Sequence, residues 1–246
     1  KLKNPRLTKE VYKAGGILQI QKTENNRLSD DIVYGLYSKN LRLSFSGIEE
    51  FIGCPFRFFI DRGLKARKNE TVEMNPANIG TFIHHGLERL LSGEFDLEGD
   101  ISAHIDTISE DYKNSVLKDC TGSSKRWDKL FLRAKGALSG AANSVVKEIH
   151  GSDYKPFDFE IDISRYTPPA QLPDGCTLTL VGSIDRVDIL ECQDGRFAKI
   201  IDYKSGSQDF SLKKIYNGLS MQLPIYAGAV KSRFPDIKIA AMYYLK

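Results

Sequence analysis

The segment IIDYKSG, from Ile200 to Gly206, runs two β-branched residues directly into Asp202 and, two positions later, Lys204. A second apolar run, VGSIDRVDI from Val181 to Ile189, carries Asp185 in its middle. Between the runs lies ECQDGR, and its Asp-Gly pair is a strong hairpin signal. With Asp194 and Gly195 as a two-residue loop, Gln193 faces Arg196, Asp185 lies opposite Lys204, and Val187 lies opposite Asp202. Strand alternation then turns Asp185, Asp202 and Lys204 to one face, bordered by Val187, Ile189, Ala198 and Ile200. The two aspartates become diagonal neighbours with backbones about 7–8 Å apart, close enough to share one cation. Two carboxylates on such a face are costly unless positive charge offsets them. Lys204 supplies one charge. A divalent ion would supply the rest, and Mg²⁺ favours one or two carboxylates plus waters and phosphate oxygens. A lysine beside such an ion can help orient and acidify a water for in-line attack on a phosphodiester. Taken singly, an Asp-x-Lys is usually a solvated cross-strand pair, and Gly182 only a bulge or close-approach site. The shared face and its apolar border raise the constellation above that reading.

Histidine is scarce, with 4 in the chain. A helix is predicted over about Asn78–Ser92, with Ile79, Phe82, Ile83, Leu87, Leu90 and Leu91 at helical spacing. With Ile83 at the centre of that face, His84 falls at its boundary and His85 turns toward solvent. A boundary imidazole is either a satisfied structural histidine or a metal ligand. Gln222 and Tyr226, four apart in MQLPIYAGA, share one helix face and could touch a substrate phosphate or a metal-bound water. Pro224 between them requires the helix to start nearby or to kink. Alone, this pair reads as packing.

The elements that must hold these residues follow from periodicity. Ser46-Gly47-Ile48-Glu49 fits a capping box opening a helix with Ile48, Phe51 and Ile52 on one face. The CPFRFF run that follows, Cys54 to Phe59, reads as core packing. Two longer helical patterns cover about Ala103–Leu117 and Trp127–Ile149. After Pro156 the period changes to 2, and FDFEIDISRY, TLTLVGSIDRVDIL and RFAKIIDYKS read as three strands. A helical stretch near Leu219–Ser232 and a last strand near Ile237–Tyr244 complete the order. Helices, an antiparallel meander, then helix and strand argue for an α+β or mixed α/β domain with helices packed on a sheet. Residues 1–40 are polar, with Ile17–Ile20 as a possible short strand, and form an N-terminal extension without an assigned role.

Composition sets outer limits. The 246 residues, with 41% hydrophobic and 27% charged, suit one large soluble domain or two small ones. A net charge of +3 argues for no polyanion partner, and the clusters DRGLKARK and Lys213-Lys214 read as solvated faces. No apolar run approaches the ~20 residues of a membrane span, and no signal peptide is legible. The cysteines Cys54, Cys120, Cys176 and Cys192 lack metal-site spacing, so reduced thiols and a cytoplasmic location are expected. The chain lacks an initiator Met and stops on a β-like run, so an excised piece of a larger protein is expected.

Five elements in order, LSFSGIEEFIGCPFRFF, GTFIHHGLE, VGSIDRVDI, IIDYKSG and QLPIY, resemble the PD-(D/E)XK nuclease superfamily, and within it the RecB/AddB-type nuclease domains. The resemblance covers about residues 41–246. It implies a restriction-endonuclease-like core, α/β (mixed α+β), with a central mixed sheet flanked by helices and an N-terminal helical segment. It implies a Mg²⁺- or Mn²⁺-dependent deoxyribonuclease, in all expectation an exonuclease, acting in double-strand break repair and recombination. His84, Asp185, Asp202 and the Tyr203 carbonyl would hold the metal. Lys204 would polarise the attacking water, and Gln222 and Tyr226 would position the substrate strand. The implied partners are single- or double-stranded DNA ends and a helicase subunit or domain, with no membrane. Many AddB-type nucleases use the cysteine matching Cys54 for an iron–sulfur cluster, with three more cysteines near the domain's C-terminal end. No matching triplet is present before Lys246, so either the ligands belong to a C-terminal part outside this chain or this branch lacks the cluster, and no iron–sulfur cluster is expected in this chain. Two rivals remain. One is a non-catalytic DNA-binding or scaffolding module of the same fold, usually marked by loss of an aspartate or the lysine. The other is a restriction-type endonuclease.

Overall fold

A computed structural model describes residues 28–66, 76–117, 125–173, 175–204 and 211–245. The Ile17–Ile20 strand, the Ser205-Gly206 turn and Cys120 lie outside these residues. The chain divides after Ser38 into two units. In the first, α1 (Asp30–Tyr37) opens with Asp30 and Asp31, whose charge suits a helix N-terminus. The second unit, from Lys39 onward, holds every candidate site residue.

This second unit begins with β1 (Asn40–Leu43), α2 (Phe45–Gly53), the short α3 (Pro55–Phe58) and a π-helical turn, Phe59–Gly63. The cap of α2 is Ser44, whose Oγ accepts from Gly47 N at 3.3 Å. The predicted box at Ser46 is therefore two residues late. Glu49 is instead engaged elsewhere, accepting from Ser220 N at 2.8 Å. Within CPFRFF Phe58 is buried, Phe59 is half-buried and Phe56 is 71% exposed, so core packing holds for Phe58, in part for Phe59, and fails for Phe56. Three long helices follow: α4 (Pro76–Leu91), α5 (Ile101–Ser115) and α6 (Lys125–His150). They match the periodic segments to within a few residues at each end.

The strands are β2 (Lys155–Asp162), β3 (Ala170–Gln171), β4 (Thr177–Leu180), β5 (Ser183–Cys192), β6 (Gly195–Tyr203) and β7 (Ile237–Leu245). Before β7 come the short α7 (Leu212–Tyr216) and α8 (Gln222–Arg233). The central sheet has the order β2-β5-β6-β7. Its first three strands are antiparallel, and β7 joins β6 in parallel. That makes the sheet mixed, as expected, with α8 serving the crossover that a parallel neighbour requires. The run read as one strand, TLTLVGSIDRVDIL, is two. TLTL leaves the central sheet and pairs with β1 and β3 in a three-stranded sheet. The break falls at Val181-Gly182. A Cβ on Gly182 would lie 3.0 Å from a Phe45 ring carbon, so the close approach needs glycine.

Each face of the central sheet carries its own core. On one, Ile201 and Tyr203 pack against α4, α5 and α6 through Phe82, Leu87, Leu90, Ile108 and Leu138. On the other, Val187, Ile189, Ala198 and Ile200 pack against α8 through Leu223, Tyr226 and Val230. No helix among the described residues is long and apolar enough to cross a membrane.

Candidate functional site

The hairpin register differs from expectation by two residues. Cys192 pairs with Gly195 and Val187 with Ile200, so the turn residues are Gln193 and Asp194. Gly195 takes φ +119, while Gln193 and Asp194 keep ordinary backbone. The glycine therefore closes the loop instead of sitting inside it. A shift of two leaves every side chain on its predicted face, because the strand period is two. Val187 is across from Ile200, not Asp202, and continuing the ladder sets Asp185 beside Asp202 instead of diagonal to it. The ladder ends at Arg186↔Ile201. Beyond it the Asp185 carboxylate takes over, accepting from Tyr203 N at 2.6 Å.

A third acid joins this row. The pairs Phe159↔Arg186 and Ile161↔Ile184 bracket Glu160 against Asp185. Glu160 has φ +45, a left-handed backbone that is strained for a glutamate. One side-chain oxygen each from Glu160 and Asp185 and one ring nitrogen of His84 lie within 4.8 Å of one another. Sequence reasoning missed Glu160. Alternation in FDFEID groups it with Asp158 and Asp162 as a solvent face, and nothing local announces the bulge between Pro156 and Asp158.

His84 reaches the row from α4. Its Nδ1 is 3.2 Å from Asp185 Oδ1, and its Nε2 is 3.1 Å from the Tyr203 carbonyl. Both neighbours are acceptors, so the ring satisfies both only as an imidazolium. Burial opposes that charge. The Asp185 hydrogen bond and the charges of Asp185, Asp202 and Glu160 outweigh it, and the His84 pKa is raised. His85, expected in solvent, is half-buried against the Tyr112 ring at 5.2 Å between centroids.

Asp202 is almost fully buried, at 1% exposure. Its Oδ1 accepts from Gln222 Nε2 at 2.6 Å, and its Oδ2 meets the Lys204 ammonium at 2.7 Å. The Oδ2 contact is an ion contact without good hydrogen-bond geometry. Desolvation, then repulsion from Asp185, pushes its pKa up to about 6 despite Lys204. Gln222 also donates to the Tyr226 hydroxyl at 2.8 Å, and Tyr226 donates to the Ser183 carbonyl. Pro224 falls inside the first turn of α8, where its missing N–H has no intrahelical role, so the helix starts there without a kink. Desolvation also raises the pKa of Glu160, with Asp185 and Glu88 adding repulsion.

The structure thus gathers His84, Asp185, Asp202, the Tyr203 carbonyl, Lys204, Gln222 and Tyr226 at one end of β5 and β6. It ties Gln222 and Tyr226 to Asp202 and to β5. Three carboxylates face one lysine and one titratable imidazole, a set short of positive charge. Hard oxygen donors with one imidazole suit a divalent cation such as Mg²⁺ or Mn²⁺. Cys54, Cys176 and Cys192 carry free thiols.

A family profile described as the PD-(D/E)XK nuclease superfamily matches residues 42–246. Curated relatives agree. A subunit of an ATP-dependent helicase/deoxyribonuclease from Ruminiclostridium cellulolyticum is 34% identical over 79% of this chain and 18% of its own length. The protein of the same description in Clostridium tetani is 36% identical over 82% of the chain and 18% of its length. That of Clostridioides difficile is 33% identical over 98% of the chain and 22% of its length. The chain spans about one fifth of the length of these relatives.

Proposed function

Since the chain belongs to the PD-(D/E)XK nuclease superfamily, we propose that it hydrolyses DNA phosphodiester bonds with a divalent metal, Mg²⁺ or Mn²⁺, as an exonuclease. The observation that carries the reading is the row Glu160, Asp185 and Asp202, short of positive charge beside Lys204. His84, Asp185, Asp202 and the Tyr203 carbonyl, with Glu160, would hold the ion. Once bound, such an ion supplies Lewis-acid stabilisation of charge on the scissile phosphate.

The chain's own residues account for the rest. Lys204 presents an ammonium at the open end of the row, where it can hydrogen-bond and orient a water. Asp202 anchors that ammonium, and the Tyr244 ring lies 5.8 Å from it. Gln222 fixes the Asp202 carboxylate, and Tyr226 ties Gln222 to the backbone of β5. Asp185 holds the Tyr203 N–H, and the carbonyl of the same residue, in the following peptide unit, faces His84. Positioning of this kind, with groups aimed where charge develops, is the main source of rate in phosphoryl transfer.

The relatives' names support deoxyribonuclease activity and a partnership with a helicase; the role at DNA ends in break repair rests on the resemblance of the five motifs to RecB/AddB-type nuclease domains. On that reading the chain is a nuclease domain, residues 41–246, working in the cytoplasm. The test is end-labelled linear DNA, single- and double-stranded, with Mg²⁺, Mn²⁺ or EDTA, using wild type and Asp202→Ala. Metal-dependent cleavage lost in the variant is expected. DNA binding without cleavage in either metal would favour a non-catalytic module, and cleavage of covalently closed circles would favour an endonuclease.

A further inference from the structure

The longest helix presents a face that the site does not use. Arg126, Lys129 and Arg133 of α6 line a hollow of about 520 Å³. One turn further along the same helix, Ala137, Gly140 and Ala141 line a second cavity, of about 360 Å³. The positions 126, 129, 133, 137, 140 and 144 advance by three or four residues and so share one helix face. All six are exposed. From Arg126 to Ser144 this face runs about 27 Å. Asp128 projects from the opposite side. No ion pair joins Arg126, Lys129 or Arg133 to a carboxylate among the described residues.

The second cavity opens onto the site. Gly80 and Ile83 of α4 form one wall, Gly140 and Ala141 of α6 form the other, and His84 and Lys204 stand at its end. Its room comes from missing side chains. A Cβ built on Gly80 or on Gly140 meets no atom within 4 Å. Its volume falls in the range of small-ligand pockets, about 300–1,000 Å³. Apolar walls suit the face of a base or a sugar, and the cationic end suits a phosphate.

We propose that this face of α6 is the track that delivers a single nucleic-acid strand to the site. Arg126, Lys129 and Arg133 hold successive phosphates, and the cavity between α4 and α6 receives the nucleotide beside the scissile bond. The charge order favours this occupant: free cations first, an apolar cleft next, then Lys204 and the metal-binding acids. The proposal deepens the nuclease reading above and rests on it for the chemistry, but not for the binding.

The test uses the purified chain. Binding of a fluorescently labelled single-stranded oligonucleotide is followed by anisotropy in EDTA over a salt series. Arg126→Ala/Lys129→Ala/Arg133→Ala should weaken binding about tenfold or more at low salt, and flatten the slope of log affinity against log salt by about 2. A control with equal charge loss elsewhere, Lys113→Ala/Lys155→Ala/Arg165→Ala, should do neither. Gly140→Leu fills the cavity and raises helix propensity. It should raise KM on linear single strands about tenfold or more while the metal-induced rise in Tm stays as in wild type. If the triple α6 variant binds like the control at every salt, the track is overturned. If Gly140→Leu leaves KM unchanged, the cavity is not the nucleotide subsite. Wild type that cleaves nothing yet binds through α6 would sink the nuclease reading and leave the track standing.

Discussion

Two charge clusters centre on β5 and β6, and they are built differently. At one end Asp185, Asp202 and Glu160 face only Lys204 and His84, and the pKa of Asp202, of Glu160 and of His84 is raised. Toward the helical layer, Arg186 is fully buried among two carboxylates and a hydroxyl. It meets Asp188 at 2.8 Å and Glu148 at 2.9 Å, and it donates to the Tyr203 hydroxyl at 3.2 Å. Tyr243 closes that cluster by bonding to Glu148. Burial pushes against the Glu148 carboxylate, yet the Tyr243 and Arg186 hydrogen bonds bring its pKa below the ordinary value. The first cluster lies where a metal ion and Lys204 can reach its carboxylates. The second ties Asp188 and Glu148 to one buried guanidinium by direct contacts, although burial still raises the Asp188 pKa. Chemistry belongs to the first, and the second holds still the Tyr203 residue whose carbonyl faces His84.

The largest effect expected is on catalysis at the open cluster. Lys204→Ala should cut DNA cleavage by about 10²–10⁴-fold, measured at a urea concentration and pH where the variant remains folded. Unchanged turnover would remove the chemical half of the contrast. Arg186→Met should do the reverse in kind. It leaves the buried Asp188 and the half-buried Glu148 without their cation, and should cost about 3–5 kcal/mol in urea unfolding. A loss below about 1 kcal/mol would mean the second cluster is not closed by Arg186.

The metal-free chain should be limited by Asp202. Its folded pKa, about 6, lies above the unfolded 3.8, so its contribution to stability is full below the unfolded value and is lost as pH rises through about 6. Asp202→Asn should therefore stabilise the metal-free chain by about 2 kcal/mol at pH values above that range, with the gain vanishing in acid. It should also blunt the thermal stabilisation that added Mg²⁺ or Mn²⁺ produces. A destabilised variant at alkaline pH would mean that Lys204 already neutralises the carboxylate. The mildest effect is expected at Glu160→Gln. Metal affinity by calorimetry should fall about 10–100-fold while the fold persists. Unaltered affinity would return Glu160 to the solvent face that its alternation suggested.

Much of this arrangement was legible in the chain. Helical spacing marked α4, α5 and α6, and alternation turned Asp185, Asp202 and Lys204 to one face. The hairpin was misregistered by two residues without harm, because an even shift preserves the face. Other features were not legible. TLTL and SIDRVDIL read as one strand because nothing in Val181-Gly182 announces a change of sheet. Phe56 reads as core because composition says that rings cluster, but not which ring turns outward. His85 reads as exposed because periodicity on one helix cannot see Tyr112 on the next.

Spacing along the chain decides which residues share a helix face or a strand face, because those periods are local properties of the backbone. That suffices to propose a lysine and two aspartates acting together. It does not reach Glu160, whose positive φ and bulged strand are set by pairing with β5. Nor does it reach the cleft between Gly80 and Gly140, which exists only where two helices far apart in sequence pass each other. The cation deficit itself is a tertiary fact. Burial raises the pKa of Asp202 and of Glu160, the carboxylates brought together from three strands raise that of His84 on α4, and no segment alone contains that field.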